Sequence, residues 1–187
     1  MEAIRIAEDL EIHFPDSILE IQVHRGQFSA VVAQETILEM CQFLQEKHKM
    51  NHLNCLTGVD NLTRKGKHFE RFEVIYQLYS IEHRVGLRLK AQIKDTENPS
   101  IDSITSLWTG ADWLEREVFD MFGISFNKHP NLQRILTPKG FEGHPLRKEY
   151  KLRGDTEWSG FTELKEKVNQ LKQFDFYSAQ EGTQSND

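Results

Sequence analysis

Residues 113–150 contain the most distinctive pattern of the chain and read WLEREVFDMFGISFNKHPNLQRILTPKGFEGHPLRKEY. The first part of this stretch predicts a helix, because apolar residues recur every three to four positions and share one face. Asp112 is expected to cap the N-terminus of this helix, with Glu115 completing a capping box. Gly123 is expected to end it, since glycine adopts a left-handed conformation at the least cost. A short strand over 124–126 is predicted to follow.

The second part of the stretch is predicted to be irregular. His129 and His144 each precede a proline, and a residue before proline is disfavoured in the α region. Acidic residues come first in the stretch and basic residues follow. Arg147 lies in a rigid, basic HPLR sequence, so we expect it at a docking edge where its loss damages assembly more than folding. The alternative is an internal ion pair with Glu117 or Asp120.

Upstream of this stretch, the hydrophobic pattern predicts a sheet with helices on one side. Apolar side chains alternate with charged ones over 85–93, which is typical of a strand with one buried face. We therefore expect an α+β fold of two layers, with a mixed or mostly antiparallel sheet covered by helices and an extended C-terminal segment. The expected elements are helices over 2–13 and 35–48, hairpins over 18–32 and 72–93, and a strand over 53–60.

We divide the chain of 187 residues into one domain and a tail. The domain covers 1–153 and includes the segment 113–150. The tail covers 154–187 and carries one short amphipathic helix, whose stripe is Leu164, Val168 and Leu171. From Ser178 onward the tail has almost no apolar residue and is expected to be disordered.

Composition excludes several classes of function. The net charge of −6 argues against a general nucleic-acid binder. No run of eighteen apolar residues predicts a membrane span, and the first ten residues do not resemble a secretory signal. Two cysteines, Cys41 and Cys55, are too few for an iron–sulfur cluster and are expected to be reduced thiols in the core.

Two sets of polar residues in the stretch have alternative interpretations. His129 and His144 suggest a metal site near acidic residues, but no third ligand has a familiar spacing, so hydrogen bonds to loop carbonyls are favoured. Glu115, Glu117 and Asp120 form either a carboxylate pair for acid–base chemistry or, more simply, a charged or docking face shared with Arg116.

The arginines and aromatic residues also allow two interpretations each. Arg134, Arg147 and Arg153 suit a phosphate, but carboxylates on 115–120 or on another subunit are the favoured partners. Trp108, Trp113 and Phe119 are core residues or interface anchors, and the neighbouring arginines favour an interface. The predicted interface or signature residues are Trp113, Glu115, Arg116, Glu117, Asp120, His129, Arg134, His144, Arg147 and Tyr150.

The run EREVFDMFGI, followed at fixed spacing by HP, RIL and EGHPLRK, resembles the signature of the C subunit of NADH-quinone oxidoreductase, the thirty-kilodalton subunit of respiratory complex I. Residues 56–60 (LTGVD) and 71–76 (RFEVIY) are also similar to that family. Three positions depart from the family pattern: Lys128 replaces a frequent glycine, Glu149 a usual aspartate, and Lys151 a proline that commonly follows the tyrosine.

The resemblance implies a scaffold subunit in the peripheral arm of a proton-translocating NADH:quinone oxidoreductase. Such a subunit packs against the large subunit that shapes the quinone site and has no catalytic, cofactor-binding or metal-binding residues of its own. Iron–sulfur clusters, FMN and quinone are expected in partner subunits. The resemblance also implies an indirect attachment to the cytoplasmic face of the inner membrane.

Two other functions stay open on the sequence. Related membrane-bound hydrogenase and formate-oxidising complexes contain an equivalent subunit, and the sequence does not name the electron donor. The second is a stand-alone metal-dependent hydrolase built on His129, His144 and the helix carboxylates.

Overall fold

Helices and strands follow the predicted order closely in the computed structural model, which describes residues 2–64, 70–151 and 160–172. The helices are α1 (Glu2–His13), α2 (Ile37–His48), α3 (Ala111–Phe122) and α4 (Phe161–Lys172). The strands are β1 (Ile18–His24), β2 (Gln27–Ala33), β3 (His52–Asp60), β4 (Phe72–Ser80), β5 (Val85–Ile93), β6 (Ser100–Asp102) and β7 (Ser125–Asn127).

The main sheet has five strands in the order β1-β2-β5-β4-β3. Only β2 and β5 pair in parallel there, while the three other pairings are antiparallel. A second, two-stranded sheet pairs β6 with β7 in parallel. The predicted α+β fold with a mixed, mostly antiparallel sheet is therefore confirmed.

Helices cover one side of the five-stranded sheet. Leu87 and Leu89 on β5 and Val74 and Tyr76 on β4 are fully buried beneath them. Helix α1 contacts β1, β2 and β5, and α3 contacts β3. Alternation along each strand leaves the other set of side chains on the opposite, uncovered side. This arrangement confirms the predicted sheet with a single covered side.

Helix α3 packs directly on the edge strand β3 at a glycine. A Cβ atom on Gly58 would lie 2.7 Å from the ring of Phe122, which is closer than real Cβ contacts come. Only glycine at this point lets the last turn of the helix reach the strand. This contact fixes where the C-terminal end of α3, and all that binds to it, lies on the sheet.

The start of α3 differs from the prediction. The helix begins at Ala111 after Gly110, and no side chain caps it. Asp112 lies inside the first turn, so the predicted N-cap and capping box are wrong. The N–H groups of Ala111 and Asp112 instead donate to the carbonyls of Trp108 and Thr109. Because the preceding turn supplies these acceptors, the carboxylates are released for other contacts.

The buried face of β3 was also predicted wrongly. Leu56 is 3% exposed, whereas Cys55 is exposed and Cys41 alone is a buried thiol. An irregularity in the pairing between Leu53 and Cys55 shifts the register by one residue. Because side chains alternate along a strand, such a bulge reverses which set faces the core.

Part of the predicted C-terminal region can be compared with the structure. Helix α4 contains the stripe of Leu164, Val168 and Leu171, and all three side chains are exposed. Arg153 and the end of the tail from Ser178 lie outside the described residues. Within the described part of the chain, no helix has both the length and the apolar character required to cross a membrane.

The two faces of β5 predict a contrast in stability. Leu89→Ala should lower the free energy of unfolding by about 2–5 kcal/mol, because a fully buried leucine is removed and a cavity remains. Lys90→Ala, on the uncovered face, should change it by no more than about 0.5 kcal/mol. Denaturant unfolding of both variants measures the difference, and a larger loss for Lys90 would mean that the faces of β5 are inverted.

Candidate functional site

The irregular segment, residues 128–150, runs along α3, and successive parts of the segment contact successive turns of the helix. The His129 ring contacts the carbonyl oxygen of Asp112 in the first turn of the helix, with Nε2 3.3 Å away. One turn further on, Arg116 Nε donates to the carbonyl of Gln133 at 3.0 Å. The next contacts of the segment are to Asp120. Helix α3 therefore acts as the surface on which this segment is ordered.

Asp120 is the main point of attachment. Its side chain is fully buried, and Oδ2 accepts from the backbone N–H groups of Ile135, Leu136 and Thr137 at 3.0, 2.7 and 2.8 Å. Oδ1 accepts from the Thr137 hydroxyl and from Arg134 Nη1, the latter at 3.1 Å. One carboxylate thus satisfies three consecutive backbone donors that no sheet or helix satisfies.

These donors keep Asp120 ionised despite its burial. Burial alone raises the pKa of a carboxyl group, but here the Thr137 hydroxyl and the three N–H groups outweigh burial and hold the pKa of Asp120 below its usual value. Arg134 also donates to the carbonyl of Gly143 at 3.0 Å. The guanidinium therefore joins Asp120 to a second part of the irregular segment, and the predicted pairing of Arg134 with a helix carboxylate is confirmed.

The irregular segment also satisfies the C-terminal end of α3. The last four carbonyls of a helix have no partner within it. Here the carbonyl of Phe119 accepts from Gly123 N, and that of Asp120 accepts from His144 Nδ1 at 2.9 Å. The carbonyl of Met121 accepts from Leu146 N at 3.0 Å, and the carbonyl of Phe122 accepts from Arg147 Nε at 2.6 Å.

Gly123 makes this arrangement possible. Its φ of +71° is in the left-handed region, as predicted for the residue that ends the helix. A Cβ atom at this position would lie 2.5 Å from His144 Nε2 and 2.7 Å from Arg147 Nη2. Any side chain at 123 would displace both residues that satisfy the helix carbonyls.

A second buried carboxylate ties the end of the irregular segment to the sheet. Asp60, at the end of β3, accepts from the backbone N–H of Lys148 at 2.9 Å and from Arg71 Nε and Nη2 at 3.3 and 3.2 Å. Arg71 forms a further ion pair with Glu149. Burial opposes ionisation of Asp60, but Arg71 and the N–H donors hold its pKa below the usual value.

Two arginines lie against the ring of Phe72 at this end of the sheet. The guanidinium carbons of Arg71 and Arg147 are 4.5 and 5.2 Å from its centroid. Phe72 is itself fully buried. Arg147 therefore makes internal contacts, to an aromatic ring and to the Phe122 carbonyl, and in the described residues it pairs with neither Glu117 nor Asp120.

Glu115 is also buried, but fewer hydrogen-bond donors surround it than surround Asp120. Its Oε1 accepts from Ile104 N at 2.8 Å, and its Oε2 is buried without a hydrogen-bond partner. Burial raises the pKa of Glu115 to about 7, with a further rise from the nearby Asp112 carboxylate, against the opposing hydrogen bonds from Ser103 and Ile104. A protonated carboxyl at this position is neutral and needs fewer donors.

His129 lies beside this carboxyl group. Its side chain is fully buried, and Nε2 is 3.1 Å from Asp112 Oδ1 and 3.9 Å from Glu115 Oε2. Nδ1 accepts from Asn131 N at 3.0 Å, so the ring proton is on Nε2. Both histidines thus bond to backbone carbonyls, as predicted. These carbonyls belong to α3, whereas loop carbonyls were expected.

The structure corrects the prediction of a charged helix face. Glu115 and Asp120 are fully buried, and of the three predicted carboxylates Glu117 alone is exposed. The reason is that residues 103–104 and the irregular segment pack over α3 and supply donors where the sequence pattern suggested solvent. Trp108 is only 7% exposed, so its predicted place in an interface is also wrong.

Three large apolar side chains are exposed in this region, among polar residues such as Glu117 and Gln133. Trp113 is 60% exposed, Leu136 is 61% exposed and Leu146 is 49% exposed. These three residues, named here the apolar patch, are held by α3 or by backbone bonds to it. Arg116 lies over the Trp113 ring at 5.1 Å. Tyr150 stacks on Phe141 with centroids 6.2 Å apart.

Three residues of the site were missed: Asp60 and Arg71, which bind the irregular segment, and Thr137 within it, which binds Asp120. Asp60 and Arg71 lie in the two upstream stretches that resemble the family, and that resemblance was the signal for them. For Thr137, the only indication in the sequence is that the turn-forming residues 138–140 follow it. No periodicity relates residues that are 78 positions apart, as Arg71 and Glu149 are.

The two predicted histidines are not brought together. His129 binds at Asp112 and His144 at Asp120, eight helical residues apart, which is about 12 Å along the axis. Among the residues that the structure describes, no three His, Cys, Asp or Glu side chains are grouped so as to hold a metal ion. The geometry therefore gives no support to a hydrolase built on this pair.

The fold and the site define a small α+β protein that orders an irregular segment on one helix and exposes an apolar patch there. A family model described as the respiratory-chain NADH dehydrogenase 30 Kd subunit matches residues 30–156. The chain belongs to this family.

Several relatives and solved structures are similar to the chain over most of its length. A protein from Geobacter sulfurreducens, named as the C subunit of NADH-quinone oxidoreductase, is 45% identical over 145 residues, which cover 78% of this chain and 87% of that protein. One of the same name from Hyphomonas neptunium is 36% identical, covering 95% and 89%. The solved trypsin-resistant fragment (1–134) of Nqo5 has a TM-score of 0.63 at 29% identity, covering 71% of this chain and 100% of that one.

Asp120 is expected to be essential for the order of the irregular segment. Asp120→Asn puts an N–H₂ group or an uncharged oxygen where five donors converge, so the free energy of unfolding should fall by about 3–5 kcal/mol. The matched control is Glu117→Gln on the exposed side of α3, with a change within about 0.5 kcal/mol. Denaturant midpoints and hydrogen exchange at 135–137 measure both effects. Equal midpoints for the two variants would contradict this role.

Glu115 is expected to make stability depend on pH. Its pKa is about 7 in the folded protein and about 4.5 when unfolded, so the folded state binds the proton more tightly. The free energy of unfolding therefore falls as pH rises from about 4.5 to about 7, by an amount on the order of 3 kcal/mol, and is level above pH 7.

The variant Glu115→Gln should remove this dependence. His48 and His144 have lowered pKa values and give a slope of the opposite sign below about pH 6.5, so the informative quantity is the difference between variant and wild type. The variant should gain stability relative to wild type as pH rises from about 4.5 to about 7. A difference that does not change with pH would show that Glu115 does not titrate in this range.

Proposed function

We propose that this protein is a structural subunit of the peripheral arm of a proton-translocating NADH:quinone oxidoreductase. We further propose that the apolar patch and the irregular segment dock onto the large subunit that shapes the quinone site. The observation that carries the proposal is the exposed apolar patch, formed by α3 and by a segment that buried carboxylates hold on this helix. The names and the 36–45% identity of the relatives support the type of complex.

The physical argument for docking begins with the cost of ordering a surface. A flexible loop loses side-chain and backbone freedom when it binds, and a segment ordered in advance avoids that loss. Asp120 and Asp60 order this segment within the chain itself. Trp113, exposed next to Arg116, belongs to the residue types that most often dominate binding energy at interfaces.

We propose that the redox centres of the complex belong to its other subunits. An iron–sulfur cluster takes about four cysteine thiolates, and this chain has two cysteines. Cys41 is buried on α2 and Cys55 is exposed on β3. On this proposal the chain supports electron transfer from NADH to quinone by positioning its partners, and its attachment to the membrane is indirect.

A second candidate is the equivalent subunit of a related membrane-bound complex. The solved structure of a membrane-bound sulfane sulfur reductase has a TM-score of 0.62 at 18% identity, covering 100% of this chain and 97% of that one. This likeness shows the fold alone. The relatives named for NADH-quinone oxidoreductase favour the first candidate, because their identity to this chain is at least twice as high.

Trp113→Ala tests the proposed docking. Trp113 is 60% exposed, so the isolated variant should melt near the wild-type temperature. Loss of a tryptophan anchor commonly costs about 2 kcal/mol or more, which lowers affinity roughly thirtyfold. The measurement is the amount of the Trp113→Ala chain that copurifies with a tagged large quinone-site subunit, compared with the amount of the wild-type chain.

Ile81→Ala is the matched control for this test. Ile81 is 64% exposed, but it follows β4 at the end opposite Phe72, so the Cα atoms of the two residues are about 30 Å apart along an extended strand. The control should leave recovery unchanged. Arg147→Ala separates docking from folding less well, because Arg147 also satisfies the Phe122 carbonyl. Wild-type recovery of the Trp113 variant would overturn the proposed docking surface.

A further inference from the structure

The uncovered face of the five-stranded sheet carries two cations at its centre. This face, named here the open face, is the side of the sheet opposite the helices. Strand β5 is the third of five strands, and its open-face residues include Arg88 and Lys90. Both side chains are half-buried. They are two residues apart on one strand, so their Cα atoms are separated by about 7 Å.

Neutral residues lie directly opposite both cations on the neighbouring strands. In the pairing register, Arg88 lies between Ser29 and Gln77, and Lys90 lies between Val31 and Ile75. Like charges on neighbouring positions repel each other, and neutral neighbours do not offset that repulsion. The two central positions of the open face are therefore both positive, and Glu20 and Glu73 lie further out on the same face.

Glutamine amides hold the two cations in place. Arg88 Nε donates to Gln77 Oε1 at 3.0 Å, and its Nη2 donates to Gln27 Oε1 at 3.4 Å. Lys90 Nζ donates to Gln22 Oε1 at 2.7 Å. Each acceptor is an uncharged amide, so none of these three hydrogen bonds joins a cation to a carboxylate. Gln22 Nε2 also donates to Glu20 Oε2 at 2.9 Å, so the Gln22 amide lies between that carboxylate and Lys90.

Other cationic side chains of the protein form ion pairs within the chain. Within the described ranges, no ion pair involves Arg88 or Lys90. The carboxylate of Glu73, diagonal to Lys90 on β4, accepts from the Gln92 amide at 2.8 Å instead. More peripheral lysine and arginine side chains do form close ion pairs with carboxylates, and these are Lys47, Arg71, Lys94, Lys128 and Arg134.

A cavity of about 370 Å³ adjoins Arg88 on this face. Its lining includes Gly26, Asn54, Gln77, Gly86 and Arg88. Two glycines leave the backbone open to a ligand at this point. The volume is ample for a carboxylate side chain, which a guanidinium binds through two parallel hydrogen bonds. The hydrogen bonds of Arg88 within the described residues use Nε and Nη2.

We propose that the open face binds an acidic segment of a neighbouring subunit, with one carboxylate on Arg88 and a second on Lys90. The separation of about 7 Å matches alternate residues of an extended chain, so the partner sequence has the pattern acidic–any–acidic. This inference rests on the proposed function in one respect, since it takes the chain to be part of an assembly. It concerns a face distinct from the apolar patch.

A zero-length carbodiimide cross-link in the purified, assembled complex tests the proposal. The reagent joins an amine to a carboxylate only when the two are in direct contact. Lys128 and Asp102, 3.0 Å apart, supply an internal positive control for the reaction. Peptide mass spectrometry should find Lys90 joined to an aspartate or glutamate of another subunit, in an acidic–any–acidic sequence.

Variants give a second measurement on the same complex. The double variant Arg88→Gln, Lys90→Gln should keep its melting temperature and lose affinity for the assembly by at least about tenfold, as the loss of one desolvated charge pair does. The matched control is Lys94→Gln, a cation that is paired within the chain. Its retention in the assembly at raised salt should equal that of the wild type.

The outcomes separate the two proposals. If the assembly purifies intact but Lys90 is joined only to carboxylates of its own chain, or to none, the acidic-partner inference is overturned. The same follows if the double variant is retained as well as Lys94→Gln. If the wild-type chain copurifies with no other subunit of the oxidoreductase, the proposed function itself fails, and this inference fails with it.

Discussion

The order of the C-terminal part of the domain depends on the buried carboxylate of Asp120. Three consecutive backbone N–H groups, one hydroxyl and one guanidinium converge on its two oxygens. An irregular segment cannot satisfy its own donors through a ladder, and unpaired buried donors are costly. A single ionised side chain, presented by a helix that already packs on the sheet, replaces the missing ladder.

The reverse contribution is equally important, because the irregular segment completes the helix that holds it. His144, Leu146 and Arg147 satisfy three of the last four carbonyls of α3, and Gly123 leaves the space for two of them. Positive side chains near this end of a helix are also favoured by its dipole. Helix and segment are therefore mutually dependent, and the apolar patch they carry is ordered before any partner binds.

Two carboxyl groups on α3 show how local donors decide whether the effect of burial on ionisation prevails. Asp120 and Glu115 are both buried, yet their pKa values move in opposite directions. Asp120 meets five donors, whereas one oxygen of Glu115 has none. The same helix thus holds one permanent anion, which binds the segment, and one group that titrates near neutral pH.

The amino-acid sequence by itself determined the elements and their layers. Period-two and helical patterns are local, so they predicted the hairpins, the helices and the single covered side of the sheet, and Gly123 as the helix end. The fixed spacing of the motif in 113–150 identified the family. The same local patterns failed at the N-terminus of α3 and at Cys55, where a preceding turn and a bulge in an edge strand decide the outcome.

The contacts of the motif residues depend on how distant elements pack together. Burial of Glu115 and Asp120 follows from residues 103–104 and 134–137 folding over α3, and two of the partners of Asp60 lie 11 and 88 positions away along the chain. Sequence patterns report which residues share a face of one element. They do not report which distant donor reaches a buried carboxylate, because that depends on how separate elements pack.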